Sequence, residues 1–406
     1  MSWNEGRVRE MVELFNGYPF DSALFNSGGD IPLVRIRDMS AEKFETFVPG
    51  PIPLGAQLRT GDLVIGMDGD FNAMIWTRGE AALNQRMCAL RPRDGVDIRW
   101  VFYNLPPHLE FINETQYATT VKHLSSGEIL SIRFPLPPQS DQIAICDFLD
   151  RETAKIDVLI AKQQQLVETL REDRAATIFS AVTEGLDREA LMTESSVEWI
   201  DFSPKHWNIN RMSWLFRVIS SGTTPDSKNS GYYEGVTNWV TTGELREGYI
   251  DDTASKVSTS ALIDYSALRV YEPGSLVIAM YGATIGRLGI LSAPACTNQA
   301  CCVFAGAKHA NVKFMFYMLL AAREHLLVLA SGGGQPNINQ DKLRALRVPT
   351  PSVQEQRAIA AFLDARCERI DAVMAESLRM IATLREYRSA LITDAVTGKI
   401  DVRGVA

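Results

Sequence analysis

From Gln139 onward apolar side chains return every three or four residues, at Ile145, Leu149, Ile156, Leu159, Leu166, Leu170 and Ile178. The pattern comes back after Ser352, at Ile359, Leu363, Ile370, Val373, Met380, Leu384 and Leu391. Prolines crowd the start of each run, and no glycine or proline follows until Gly185 and Gly398. Such punctuation predicts two helices of about 44 residues, roughly 65 Å long at 1.5 Å per residue. A period near 3.5 is that of a left-handed coiled-coil seam, so the helices are expected to pack on each other. Two alternatives stay open at this level: a short first helix broken near Asp150 or Asp364, and helices that each pack only on a neighbouring domain. Elsewhere the pattern changes to short β-branched and aromatic runs set off by glycine and proline, at 31–36, 62–67, 276–280 and 287–291, which read as strands. Each globular part is expected to hold a substantial sheet and a few helices, one of them near 312–330.

The two helical segments are copies. Residues 135–187 align without a gap on 349–401 at an offset of 214, with Gln142 on Gln356, Phe148-Leu149-Asp150 on Phe362-Leu363-Asp364, and Ala181-Val182-Thr183 on Ala395-Val396-Thr397. Roughly two positions in five are identical, which marks a duplication. Fainter matches extend it: Gly61–Gly69 on Gly274–Gly282, Asn84-Gln85 on Asn298-Gln299, Phe102-Tyr103 on Phe316-Tyr317, and the stretch from Gly17 on that from Gly222. The expected organisation is a first globular domain at 1–134, a long helix at 135–187, a polar linker at 188–197, a second globular domain at 198–348, and a second long helix with a tail at 349–406. The first domain starts abruptly, without a counterpart of Ser203-Pro-Lys-His-Trp207. The fold class is α+β: two mixed α/β domains joined by two long helices that form an antiparallel coiled coil with a pseudo-two-fold repeat. Its interface is assigned to Phe148, Leu149, Ile156, Gln163 and Leu170, with Phe362, Leu363, Ile370, Ser377 and Leu384. Gln163 and Ser377 hold equivalent mid-helix positions and are expected to form a polar layer that sets register.

Hydrophobic residues at 46% and charged residues at 22% describe an ordinary globular chain with ample core. No apolar run reaches membrane-spanning length and the N-terminus lacks a signal-peptide core, so no membrane association is expected. Six scattered cysteines without a C-x-x-C pair point to a reducing, cytoplasmic compartment. The net charge of −8 is unevenly spread: 13 basic against 17 acidic residues in 1–134, 6 against 13 in 135–198, 14 against 11 in 199–348, and 8 against 8 in 349–406. The acidic first helix is unsuited to a phosphate backbone. The globular segments are open to DNA but too weakly charged for strong non-specific binding alone.

No catalytic or metal site emerges. Pro225-Asp226-Ser227-Lys228 has the residue types of a metal-dependent nuclease, but it sits among turn formers and its counterpart from Pro19 lacks the lysine. Asn104-Leu105-Pro106-Pro107-His108 falls short of the Asn-Pro-Pro-aromatic string that holds a flipped adenine. The stretch Gly282–Gly286 is neither a Walker loop nor a dinucleotide fingerprint, and its sister after Gly69 favours a tight hairpin. The five histidines show no metal spacing.

Recognition remains. Arg, Lys, Asn, Gln and aromatic side chains are those that read base edges or clamp phosphates. The loops supply Arg35, Arg37, Arg78 and Lys122 in the first domain. The second supplies Lys228, Tyr232, Tyr233, Arg246, Tyr281, Arg287, Gln335 and Asn337. Over nearly its full length the chain resembles the specificity subunits of type I restriction-modification systems. The resemblance is carried by Pro135-Leu-Pro-Pro138, Asp141-Gln142 and Phe148-Leu-Asp150, repeated as Pro349-Thr-Pro351, Glu355-Gln356 and Phe362-Leu-Asp364. Supporting matches are Pro204-Lys-His-Trp207, Gly222-Thr-Thr-Pro-Asp226 and the stretch from Gln335 to Asn339. It implies two target-recognition domains, each reading half of a split site in double-stranded DNA. It also implies helices that carry two methyltransferase subunits, to which restriction subunits can be added. S-adenosylmethionine, ATP and magnesium would then belong to those partners, leaving this chain without cofactor or catalytic residue. A specificity subunit of an orphan or related defence methyltransferase without restriction subunits is the alternative.

Overall fold

A computed structural model describes residues 3–29, 31–115, 122–330 and 336–402. Both long helices form without a break, as Gln139–Thr183 and Val353–Val396. Their inner faces step by four and three residues from buried Gln142 through Cys146, Leu149, Thr153, Ile156, Ile160, Gln163 and Val167. The same steps run from Gln356 through Ala360, Leu363, Cys367, Ile370, Met374, Ser377 and Ile381. The 3.5-residue period is there, but its phase corrects the expected series. Leu159, Leu166, Val373 and Met380 are 39–48% exposed, and the adjacent Ile160, Val167, Met374 and Ile381 take the inner positions. Each helix carries two apolar stripes one residue apart, and period alone does not choose between them. Of the assigned interface residues, Leu149, Ile156, Leu363, Ile370 and Ser377 are buried, Gln163, Leu170 and Leu384 half-buried on the same face, and Phe148 half-buried beside it. Phe362 is 42% exposed.

The chain divides into two compact units, residues 1–164 with 379–406, and residues 165–378. Each long helix begins in one unit and ends in the other, and within each unit the two helix segments run antiparallel. In the first, Ile145, Cys146 and Leu149 share a core with Ala395 and Val396, while Asp157 pairs with Arg388 at 2.9 Å. In the second, Ile178, Ala181 and Val182 share a core with Ile359, Leu363 and Cys367, while Asp173 pairs with Arg366 at 2.9 Å and Arg174 with Asp371 at 3.0 Å. These ion pairs are partly solvated and contribute little; the apolar seam supplies the stability.

The globular part of the first unit pairs a four-stranded sheet, in the order Val12–Asn16, Met87–Pro92, Leu63–Gly66, Ala73–Ile75, with a second four-stranded sheet built on Ile31–Val34 and Ala81–Leu83. The second unit has a five-stranded sheet, in the order Phe216–Ser221, Cys301–Ala307, Leu276–Ala279, Leu288–Leu291, Gly248–Ile250, and a three-stranded one. Helix Ile98–Thr115 in the first unit answers to Val312–Ala321 and Arg323–Leu329 in the second. Residues 188–197 carry a strand, Met192–Glu194, antiparallel to Phe202–Pro204.

The repeated motif clamps each helix to its globule. Gln142 accepts a hydrogen bond from Asp97 N at 2.9 Å and donates to Pro137 O at 2.8 Å. Gln356 accepts from Asn311 N at 2.7 Å and donates to Pro351 O at 2.9 Å. Tyr103 donates to Asp150 at 2.5 Å, and Tyr317 to Asp364 at 2.6 Å. Burial first, and then the carboxylate partner, push both phenol pKa values above the ordinary 10. A raised folded-state pKa means stability fully present below pH 10 and lost as pH climbs beyond it toward the folded-state values. Alkaline thermal melts should therefore fall off less steeply in the Tyr103→Phe, Tyr317→Phe double variant than in the parent; equal slopes would discount the clamp's part in alkaline unfolding.

Of the Ser203–Trp207 stretch, the structure gives the first domain a counterpart for Trp207 alone. Glu5 pairs with Pro135 and Ile209 with Pro349, which are repeat equivalents, so Trp3 stands where Trp207 stands. A side chain on Gly398 would lie 3.1 Å from Trp3, as one on Gly185 would from Trp207. A lone Trp carries no motif by which residue order alone could match it to Trp207. Among the described residues no helix is long and apolar enough to cross a membrane.

Candidate nucleic-acid interface

In each globular part three loops meet in one backbone frame. In the first unit Met67 N donates to Arg86 O at 2.9 Å, Leu124 N to Met67 O at 2.7 Å, and Gly69 N to Lys122 O at 3.4 Å. In the second, Met280 N donates to Ala300 O at 2.8 Å, Ile338 N to Met280 O at 2.9 Å, and Gly282 N to Pro336 O at 2.9 Å. Isolated bridges join Asp68 to His123 and Tyr281 to Asn337. A fourth loop closes on the frame through Ser126 Oγ to Asn16 Oδ1 at 2.7 Å, and through Gln340 Nε2 to Ser221 Oγ at 2.5 Å. The glycines after those residues are obligatory. A Cβ on Gly17 would lie 1.9 Å from Asn84 O, and one on Gly222 1.7 Å from Thr297 O.

The frame lies at the far end of each sheet from the helix clamp. Strand Met87–Pro92 starts after Arg86 and leads to Gly95 and Asp97, which Gln142 holds. Strand Cys301–Ala307 starts after Ala300 and leads to His309 and Asn311, held by Gln356. Six or seven strand residues separate the two ends, about 20 Å at 3.3 Å per residue.

What the frame displays differs between the halves. In the first, Asp68 Oδ2 accepts from Arg86 and Asp68 Oδ1 meets His123 Nδ1 at 2.7 Å. Burial works against the Asp68 carboxylate, but the hydrogen bonds from His123 and Arg86 outweigh it and hold its pKa below the usual range. The Arg86 and His123 side chains are 59% and 56% exposed. In the second, the same places carry exposed Tyr281, half-buried Ala300 and exposed Asn337, with Gln299 accepting from Thr224 Oγ1 at 2.6 Å.

The residues expected from sequence to face DNA scatter over several environments. Arg35 is bound by Asp38 at 2.9 Å and Thr46 at 2.6 Å, and Arg37 lies exposed at 4.0 Å from Asp38. Arg78 donates to the carbonyls of Asp38, Ala41 and Glu42 and lies 3.8 Å over the Phe44 ring. Arg35 and Arg78 thus brace a turn. Lys122, Tyr281 and Asn337 sit on the frame, and exposed Arg246 and Arg287 at the same end of the five-stranded sheet. Tyr232 and Tyr233 are spent on Asp264 and Pro225 O beside the three-stranded sheet, and Lys228 is exposed on the turn that Asp226 caps. Gln335 lies outside the described residues. The structure also brings Arg86, Asp68, His123 and Gln299 to the frame, which the sequence reading did not single out, although the matched Asn84-Gln85 and Asn298-Gln299 pairs stand beside the divergent position. Among the described residues no three His, Cys, Asp or Glu side chains converge as metal ligands.

A family model described as the type I restriction modification DNA specificity domain matches residues 1–169 and 204–376. The EcoBI type I restriction enzyme specificity subunit of Escherichia coli is 27% identical over 414 residues, covering 98% of this chain and 86% of its own. The MjaVIII specificity subunit of Methanocaldococcus jannaschii is 23% identical over 381 residues, covering 91% and 85%. Among solved structures, a chain from a type I R-M system study of complex assembly and conformational transition matches with a TM-score of 0.69 at 16% identity, covering 98% of both chains. The HsdS subunit of Thermoanaerobacter tengcongensis matches at 0.53 and 15%, covering 98% of this chain and 97% of that one. These structural likenesses establish the two-domain, two-helix fold, and with the family match over both halves the chain belongs to the type I restriction-modification DNA specificity family.

Proposed function

We propose that this chain is the DNA-reading specificity subunit of a cytoplasmic type I restriction-modification complex, with each globular domain reading one half of a bipartite double-stranded target. The observation that carries this reading is the duplicated frame: its backbone is the same in both halves while its exposed side chains differ. A fold that needed those side chains would keep them; one that reads two different short sequences would vary them. The long helices act as the spacer and carry two methyltransferase subunits, to which restriction subunits attach. The chain itself performs no chemistry. S-adenosylmethionine, ATP and magnesium are supplied at the partners' sites. Supporting this division, the acidic first helix suits a protein partner better than a phosphate backbone.

Methylome sequencing of a host carrying the methyltransferase subunits, with and without this chain, tests the proposal. Methylation is expected only with the chain, at a target of two short specified blocks around an unread gap. A continuous target, or methylation indifferent to the chain, would overturn it.

A further inference from the structure

We propose that Arg86 reads a guanine in the first half-site, with Asp68 and His123 as its positioning residues, and that the second domain lacks this reader. The inference rests on the DNA-reading role proposed above and names the residue that does the reading. Three observations carry it. Arg86 is held by Asp68, which in turn meets His123 at 2.7 Å, so residues from three separate loops fix one guanidinium. That arginine side chain is 59% exposed, at the end of the sheet opposite the helix clamp. The contact to Asp68 runs through Arg86 Nη1, and the guanidinium carries five donors in a planar fork that matches guanine O6 and N7 in the major groove. A side chain already fixed in this way loses little freedom on binding.

A structural role for the triad is the competing explanation, and the molecule contains its own control. The second domain keeps the frame's backbone hydrogen bonds, with Tyr281, Ala300 and Asn337 where the first has Asp68, Arg86 and His123. The frame therefore folds without the triad. An ion pair this exposed would add little stability in any case. Loss of the arginine in the second domain leaves Asn337 and Gln299, amide side chains suited to adenine N6 and N7.

The test uses the full chain assembled with its methyltransferase subunits, on duplexes in which each base pair of the target is changed in turn. Arg86→Ala is expected to slow methylation of the parent target by about 5- to 150-fold. It should abolish discrimination at one G·C pair of the first half-site and leave the second half-site as selective as before. That retained selectivity also shows that the variant complex is folded. Arg86→Lys, which keeps the charge but not the fork, should lose the same discrimination. Asp68→Asn should weaken discrimination at that same pair and add little to Arg86→Ala. Transfer of the triad, as Tyr281→Asp, Ala300→Arg and Asn337→His, should create a guanine preference in the second half-site. Unchanged G·C discrimination in both Arg86 variants overturns the assignment. So does a uniform loss of affinity with the salt slope reduced by about one, the mark of a phosphate contact. If the parent complex reads no split target, the broader proposal fails instead, so the two failures are distinguishable.

Discussion

Exchange of residues 1–134 for the same segment of a relative is expected to change one half of the DNA target and leave the other half untouched. The physical basis is the clamp. The exchanged segment meets the first long helix through backbone groups at Gly95 and Asp97 and through Tyr103, while the loop frame proposed to read bases stands at the opposite end of the sheet. A new domain that keeps the clamp can therefore bring new reading residues without moving its mounting. Good base contacts discriminate by about 1–3 kcal/mol each, so the original half-site should lose its preference over several positions. The complementary manipulation alters the helices alone. Adding one heptad to both preserves the alternating four-and-three seam and lengthens each by about 10 Å. The unread gap should grow while the bases read stay the same. Methylome sequencing of both variants decides: a domain exchange that alters both halves, or a heptad insertion that changes the bases read, counts against independent reading heads on a helical spacer.

Gly222→Ala should destabilise the second unit by about 3 kcal/mol, at the upper end for an added methylene in a packed site. The Cβ would lie 1.7 Å from Thr297 O and 2.6 Å from its carbonyl carbon, which is backbone and cannot swing away. For a unit of this size the midpoint of thermal unfolding should fall by about 6–12 °C. Gly248 provides the control. Nothing lies within 4 Å of its Cβ position, so Gly248→Ala should shift the midpoint little. Because Gly222 follows Ser221, which Gln340 ties to the frame, selectivity at the second half-site should decline with stability. A Gly222→Ala protein that melts with the parent would show that the two strands part at no cost and that the frame is softer than its geometry implies.

The two long helices, their duplication and the mixed domains between them were legible from residue order alone, because breaker-free apolar periodicity is a local property of the chain. The clamp was legible as a repeated motif but not as a mechanism. Gln142 and Gln356 read as ordinary helix residues until burial showed that their amides take up backbone groups of another element. The exposed residues of the loop frame were the least legible. Arg35, Arg78 and Arg86 are the same residue type in similar loops, yet the first two are consumed by Asp38 and nearby carbonyls, and only the third is presented to solvent at the frame. Sequence by itself determined the two long helices and their duplication, since breaker-free periodicity depends on neighbours within a few turns and a repeat shows as residue identity; it did not single out helix Ile98–Thr115, whose interior Pro106 and Pro107 read as breakers. Only the tertiary structure decided the phase of the seam and the convergence of Asp68, Arg86 and His123. Both depend on which distant strands and helices pair, and a side chain's partners across a sheet or a seam are set by long-range packing that no local period encodes.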